Sequence, residues 1–197
     1  MSISVYIKRV LVMTPWFNTR KAAQVVAFFA IREGGAINVL KATKLVYLAD
    51  RLNMDKFDFP ITGDNFVSMD HGPVNSVTLS CINGMEGDRP DWESFLTDRS
   101  GHEVGVSDKA LSEDDLDELS DAEVGTLDEV WAKFGHMDRY VVRDWTHDNC
   151  PEWEDPEGSS NPIPFSRVFK FLGKAHPDFL ENQVKIGRQF QAAFSAL

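Results

Sequence analysis

Two helical runs, each opened by an asparagine and separated by a glycine pair, constrain this chain most. Asn18 or Thr19 is placed to cap a helix that runs to about Glu33, with Ala22, Val25, Val26, Phe29 and Ala30 along one side. Gly34-Gly35 ends it, because only glycine enters the left-handed backbone region freely. Asn38 then caps a second helix to about Met54. Leu45, Leu48, Ala49 and Leu52 form its buried stripe, and Lys41, Lys44 and Arg51 fall elsewhere on it. Two such helices joined by a short turn make a helical hairpin. The expected fold class is therefore mainly α, a compact helical domain with a small antiparallel β element.

That β element is expected from two places. Phe66, Val67 and Met69 alternate as a short extended piece, and Ser94–Thr97 and Glu103–Val106 flank a polar turn containing Gly101 as a β-hairpin. Between the extended piece and a third helix stands His71-Gly72-Pro73. Gly72 supplies the backbone freedom for a change of direction, and Pro73 suits the first turn of a helix that ends near Asn83-Gly84. His71 is then expected beside that helix's N-terminus, as a neutral structural group or as a ligand contact. Further helices are expected after the caps Ser112 and Ser120, over Asp138–Trp145, over Pro164–Leu172, and from Pro177 to Ala196 with a stripe of Leu180, Val184, Gly187, Phe190 and Phe194. Residues 151–164 are turn-rich and acidic. Residues 1–12 are either an upstream extension before a start at Met13 or an edge strand carrying Ile3, Val5 and Ile7.

Charge divides the 197 residues unevenly. Residues 1–56 hold nine basic and three acidic residues; the remainder holds 11 and 28, for a net charge of -11. An acidic protein is a poor polyanion binder, so nucleic acid is disfavoured as a partner. The basic part either pairs with the acidic remainder or meets an acidic partner. From Glu113 to Glu129 there are nine acidic residues and no basic one, either a solvated helix face or a patch that mimics or repels an anion. Two cysteines do not make a disulfide framework, and no run approaches the ~18 apolar residues of a membrane span, which sets a cytoplasmic expectation.

Catalytic patterns are sparse. His147-x-x-Cys150 has a zinc-like spacing without a matching second pair, Cys81 lies on the apolar side of a helix as an inert thiol, and the glycine pair follows a helix rather than a strand and so cradles no phosphate. Composition and spacing give no enzyme and imply no cofactor.

The residues do carry a resemblance. The stretch from Lys44 to Gly84 resembles the core of the Panacea domain of SocA-like, phage-associated antitoxins. The family's K-L-x-Y-L-A helix is matched by Lys44, Leu45, Tyr47, Leu48 and Ala49, its P-I-x-G turn by Pro60, Ile61 and Gly63, and its H-G-P-V junction by His71, Gly72, Pro73 and Val74. Its T-H-x-x-x-P-W element is similar to Thr146, His147, Pro151 and Trp153, with Glu152 as a departure between Pro and Trp. The resemblance implies an antitoxin domain over 13–154, with 155–197 a helical extension packed on it. It also implies a cognate toxin neutralised by direct binding, no catalytic residue, and, as in SocA, a role as adaptor to a AAA+ protease. The motif residues are expected to be structural. Candidate anchors for a partner are the aromatics in or beside turns, Trp16, Phe57, Phe59, Trp92 and Trp153, on the platform of the first helical hairpin. The acidic segments would suit a basic toxin, with association slowed by salt. Two other readings stand beside this one: a small metal-dependent or hydrolytic enzyme around His71, His147 and Cys150, and a DNA-binding autorepressor using the basic N-terminal helices. A second copy of the chain is a further partner, through the phenylalanines of the last helix.

Overall fold

The computed structural model describes residues 16–85 and 87–194. The expectations for residues 1–12 and for a start at Met13 lie outside them. Among the described residues, eight α-helices carry the fold and two small antiparallel sheets complete it.

Helix α1 (Thr19–Arg32) and helix α2 (Val39–Phe57) form the expected hairpin. The Asn18 side chain accepts from the Lys21 amide at 2.9 Å, and the Asn38 side chain from the Leu40 amide at 3.0 Å. Gly34 and Gly35, at φ 100 and 108, end the first helix, and the Gly35 amide reaches back to the Ala30 carbonyl. Neither helix is a surface element with one apolar stripe. Ten of 14 residues in α1 and 13 of 19 in α2 are buried, Lys41, Lys44 and Asp50 among them. A helix enclosed on most sides must find partners for its polar residues, and the rest of the chain supplies them.

Strand β1 (Ala36–Asn38) pairs with β4 (Glu103–Gly105), Ile37 opposite Val104. The hairpin expected over 94–106 is thus half formed. Thr97 donates to the Gly105 carbonyl at 2.8 Å and Leu96 bridges Val106, but the regular ladder of the second arm runs to β1. Its first arm instead continues the turn of helix α4 (Arg89–Glu93), where the Phe95 amide donates to the Trp92 carbonyl. Strands β2 (Phe66–Met69) and β3 (Gly72–Asn75) form a tight hairpin that turns through Asp70-His71, and β5 (Asn161–Ile163) lies on the other side of β2.

This corrects the expectation for His71-Gly72-Pro73. Pro73 stands in an edge strand opposite Ser68, and helix α3 (Ser76–Ile82) begins three residues later. A proline is tolerated at a sheet edge, where a missing N–H need not break the ladder. His71 is exposed at the hairpin's tip, a full strand before α3 begins.

Helices α5 (Asp121–Phe134), α6 (Arg139–Asn149), α7 (Phe165–Phe171) and α8 (Pro177–Phe194) follow. Ser120 makes a capping box with Glu123, and Ser112 makes another with Asp115 on a single 3-10 turn. The core gathers α1 and α2 with Phe66, Trp92, Leu127, Phe134, Phe165 and Phe169. Removing one such ring, as in Phe29→Ala, costs about 3–5 kcal/mol.

Candidate functional site

The elements that resemble the antitoxin motif meet at one face of α2. Lys44, Tyr47, Asp50 and Arg51 lie three or four residues apart, so all four side chains leave the helix on neighbouring sides. The Lys44 ammonium is fully enclosed and donates to the Pro73 carbonyl at 2.8 Å; burial pulls its pKa down to about 7. Tyr47 Oη donates to Glu152 Oε1 at 2.5 Å, and Arg51 Nε donates to the same oxygen at 2.6 Å. Burial, with the Glu152 carboxylate beside it, holds the Tyr47 phenol well above its usual range.

Asp50 fastens the P-I-x-G turn. It accepts from the Thr62 amide at 2.9 Å, from the Thr62 hydroxyl, and from Asn75 Nδ2 at 2.6 Å. Asp64, just past Gly63, accepts from the amides of Val77 and Thr78 at 3.0 and 2.7 Å and from the Thr78 hydroxyl. It caps α3 from a distance, where the adjacent Asn75 makes no cap bond. Desolvation pushes both carboxyl groups up to about 6 against these donors.

The hairpin tip packs on α6. Gly72 has φ +92, and a Cβ there would sit 2.8 Å from Thr146 Oγ1 and 3.0 Å from His147 Cδ2. The His147 ring stacks on Trp153 at 4.3 Å between centroids and 11° between planes. Trp153 Nε1 donates to the Met69 carbonyl at 2.9 Å. Burial, with Lys44 and Arg143 nearby, lowers the His147 pKa, and its Nε2 is enclosed without a hydrogen-bond partner among the described residues. Pro151 is exposed in the turn after α6.

The structure thus brings together Lys44, Tyr47, Gly72, Pro73, Thr146, His147 and Trp153, and leaves His71 and Pro151 at the surface. Sequence reasoning missed Asp50, Asp64 and Glu152, all 0% exposed. One signal for Glu152 was available: an acidic residue inside an otherwise proline and aromatic motif, with Tyr47 and Arg51 one helical turn apart to receive it.

The charge asymmetry resolves inside the molecule. Arg20 pairs with Asp117 at 2.9 Å, Lys21 with Glu123 at 2.6 Å, Arg32 with Glu113 and with Asp128, and Lys56 with Glu129. Gln24, buried in α1, donates to Asp117 and accepts from the Glu118 amide. The acidic run from Glu113 to Glu129 is therefore largely tied to α1 and α2.

The proposed aromatic anchors separate. Phe57 and Phe59 are exposed, and Trp16 is half-buried under the Arg188 guanidinium at 4.1 Å. Trp153 is spent on His147 and Met69. Trp92 is only 1% exposed, which corrects its assignment as an anchor: it fills the core beside α1. The last helix also departs from expectation. Val184 is buried and Leu180 partly so, but Phe190 and Phe194 are 63% and 71% exposed, because the buried side of α8 is the one carrying Val184 and Arg188.

Few of these groups are poised for covalent chemistry. Burial pushes the Cys150 thiol up to about 12, where a thiolate is scarce at neutral pH. Among the described residues no group of three or more His, Cys, Asp or Glu is placed to hold a metal ion, and no helix is long and apolar enough to cross a membrane.

No curated protein and no solved structure matches the chain. A family model does match: the SocA-like antitoxin, Panacea domain, over residues 43–154, more than half of the chain. That span begins on α2 one residue before Lys44 and ends just past Trp153, so it takes in the motif residues assembled above. The chain belongs to the SocA-like antitoxin family, the family of the Panacea domain.

Proposed function

We propose that this chain is the antitoxin of a type II toxin–antitoxin pair, neutralising a co-encoded toxin by direct binding, and that it also serves as an adaptor delivering that toxin to a AAA+ protease. The family assignment carries the reading. The way the motif residues are used supports it. Lys44, Tyr47, Gly72, Thr146 and Trp153 bond or pack against one another and against Pro73, Glu152 and Met69, leaving a rigid body whose outer surface is free for recognition. In this reading the motif is scaffold, and the chain needs no catalytic residue. A rigid platform with a few exposed rings is what a specific protein interface requires. Arrested cells test it. The toxic reading frame adjoining this gene, induced alone, is expected to stop growth, and co-expression of this chain is expected to restore it. Growth arrest that persists with this chain present at equal or greater abundance overturns the reading.

A further inference from the structure

An exposed apolar face lies on α8, beyond the family-matched span. Phe179, Phe190 and Phe194 are 61%, 63% and 71% exposed. At 3.6 residues per turn they share one side of the helix with Ile186 and Ala193, and Gln183, which falls between them, is uncharged. Beside this side, Gly187 leaves a notch. A Cβ there would lie 3.4 Å from the Phe59 ring, and a cavity of about 290 Å³ opens between Phe59, Ile61, Gly63, Val184 and Arg188. The floor of the notch is the P-I-x-G turn, held in place by Asp50. With rings of about 200 Å² each, Phe59 and the three α8 phenylalanines leave roughly 500 Å² of aromatic surface open, near the upper end of what a monomer shows in one patch.

We infer that this face is the seat of the toxin, which inserts an apolar side chain into the notch at Gly187 and lays an apolar surface over Phe190 and Phe194; the inference rests on the function proposed above. Charge selects the occupant. The net charge of -11 repels a second copy and an anionic lipid surface at long range and steers in a cationic polypeptide, and the two cations lining the notch, Lys21 and Arg188, are already answered by Glu123 and by Asn65 and the Asp64 carbonyl. The α8 face alone, about 27 Å by 10 Å, is smaller than the roughly 800 Å² per partner of a stable interface, so the occupant must also cover the notch and Phe59.

The test uses the full chain and the purified product of the adjoining toxic frame. Gly187→Leu fills the notch against the half-exposed Phe59 ring and introduces no backbone strain; the pair Phe190→Gln and Phe194→Gln strips the exposed rings and leaves the core alone. By titration calorimetry each variant is expected to bind at least about 30-fold more weakly than the parent, with an unfolding midpoint no lower than the parent's. Val141→Gln, at an exposed apolar position on α6, is expected to bind as the parent does. Parent-like binding by both α8 variants overturns this inference and leaves the proposed function standing. Failure of the parent chain to bind overturns both. Two further results also overturn the seat: concentration-dependent dimerisation lost in the double variant, and flotation with phosphatidylserine-containing vesicles lost in it.

Discussion

Glu152→Ala is the most informative single change. Glu152 is wholly buried and receives Tyr47 Oη at 2.5 Å and Arg51 Nε at 2.6 Å, and the Arg51 side chain is only 18% exposed. Removing the carboxylate leaves a guanidinium and a phenol facing apolar surroundings. Breaking a buried pair from one side costs about 3–5 kcal/mol, and the residual exposure of Arg51 puts this case toward the lower end. At about 2–4 °C per kcal/mol for a chain of this size, the unfolding midpoint should fall by about 10 °C. Glu152→Gln keeps an acceptor for Tyr47 and loses the charge, and is expected to cost about 1–2 kcal/mol. Replacing the set together, Arg51→Met with Glu152→Leu and Tyr47→Phe, should recover most of the loss, since it is the orphaned partners that are costly. Urea and thermal unfolding of the four proteins measure this. A Glu152→Ala loss below about 1 kcal/mol would refute the view that this carboxylate ties the T-H-x-x-x-P-E-W element to α2.

Three other outcomes follow from the same geometry. Gly72→Ala adds a methyl 2.8 Å from Thr146 Oγ1 at φ +92, and should cost more than about 2 kcal/mol by urea unfolding; Gly63→Ala, at φ +62 with nothing within 4 Å, should cost only about 1. Asp50 and Asp64 hold pKa values of about 6 in the folded chain against about 4 unfolded, so the native state binds the extra protons; stability should rise as pH falls from 7 towards 5, by about 1 kcal/mol each, and an Asp50→Asn/Asp64→Asn variant should lose that slope. Lys44, lowered to about 7, acts in the opposite window: the native state sheds its proton first, stability gains as pH rises from 7 towards 9, and Lys44→Met should remove that gain when the two unfolding profiles are compared.

Local signals were readable from the residues alone. Asn18, Asn38, Ser112 and Ser120 announce their caps because a capping bond spans only two or three residues, and all four positions cap as expected. What failed needed knowledge of the other side of a contact. Gly72-Pro73 serves a hairpin corner as well as a helix start, and only the pairing of β3 with β2 decides between them. Strand β5 hides in Asn161-Pro162 because both residues favour turns. The period of α8 gives the angle of its apolar residues but not which side the body covers, so Val184 went in and Phe190 out. Asp50 and Asp64 are carboxylates in a chain with 31 acidic residues, and nothing local marks either for burial; for Glu152 the one signal is its place inside the proline and aromatic motif. The motif resemblance found Lys44, Tyr47, Gly72 and His147 together; the buried carboxylates that hold Tyr47, Arg51 and the turns around them came only with the fold.

An antitoxin that works as a binding surface, as proposed for this chain, neutralises stoichiometrically. Titrating it into a fixed amount of the purified toxin, with residual toxin activity as the readout, tests that most directly. Inhibition is expected to grow in proportion to the chain added and to be complete at a fixed whole-number molar ratio, reached within the mixing time. Loss of toxin activity that continues with time at a small fraction of that ratio, or full activity at a large excess, would contradict it.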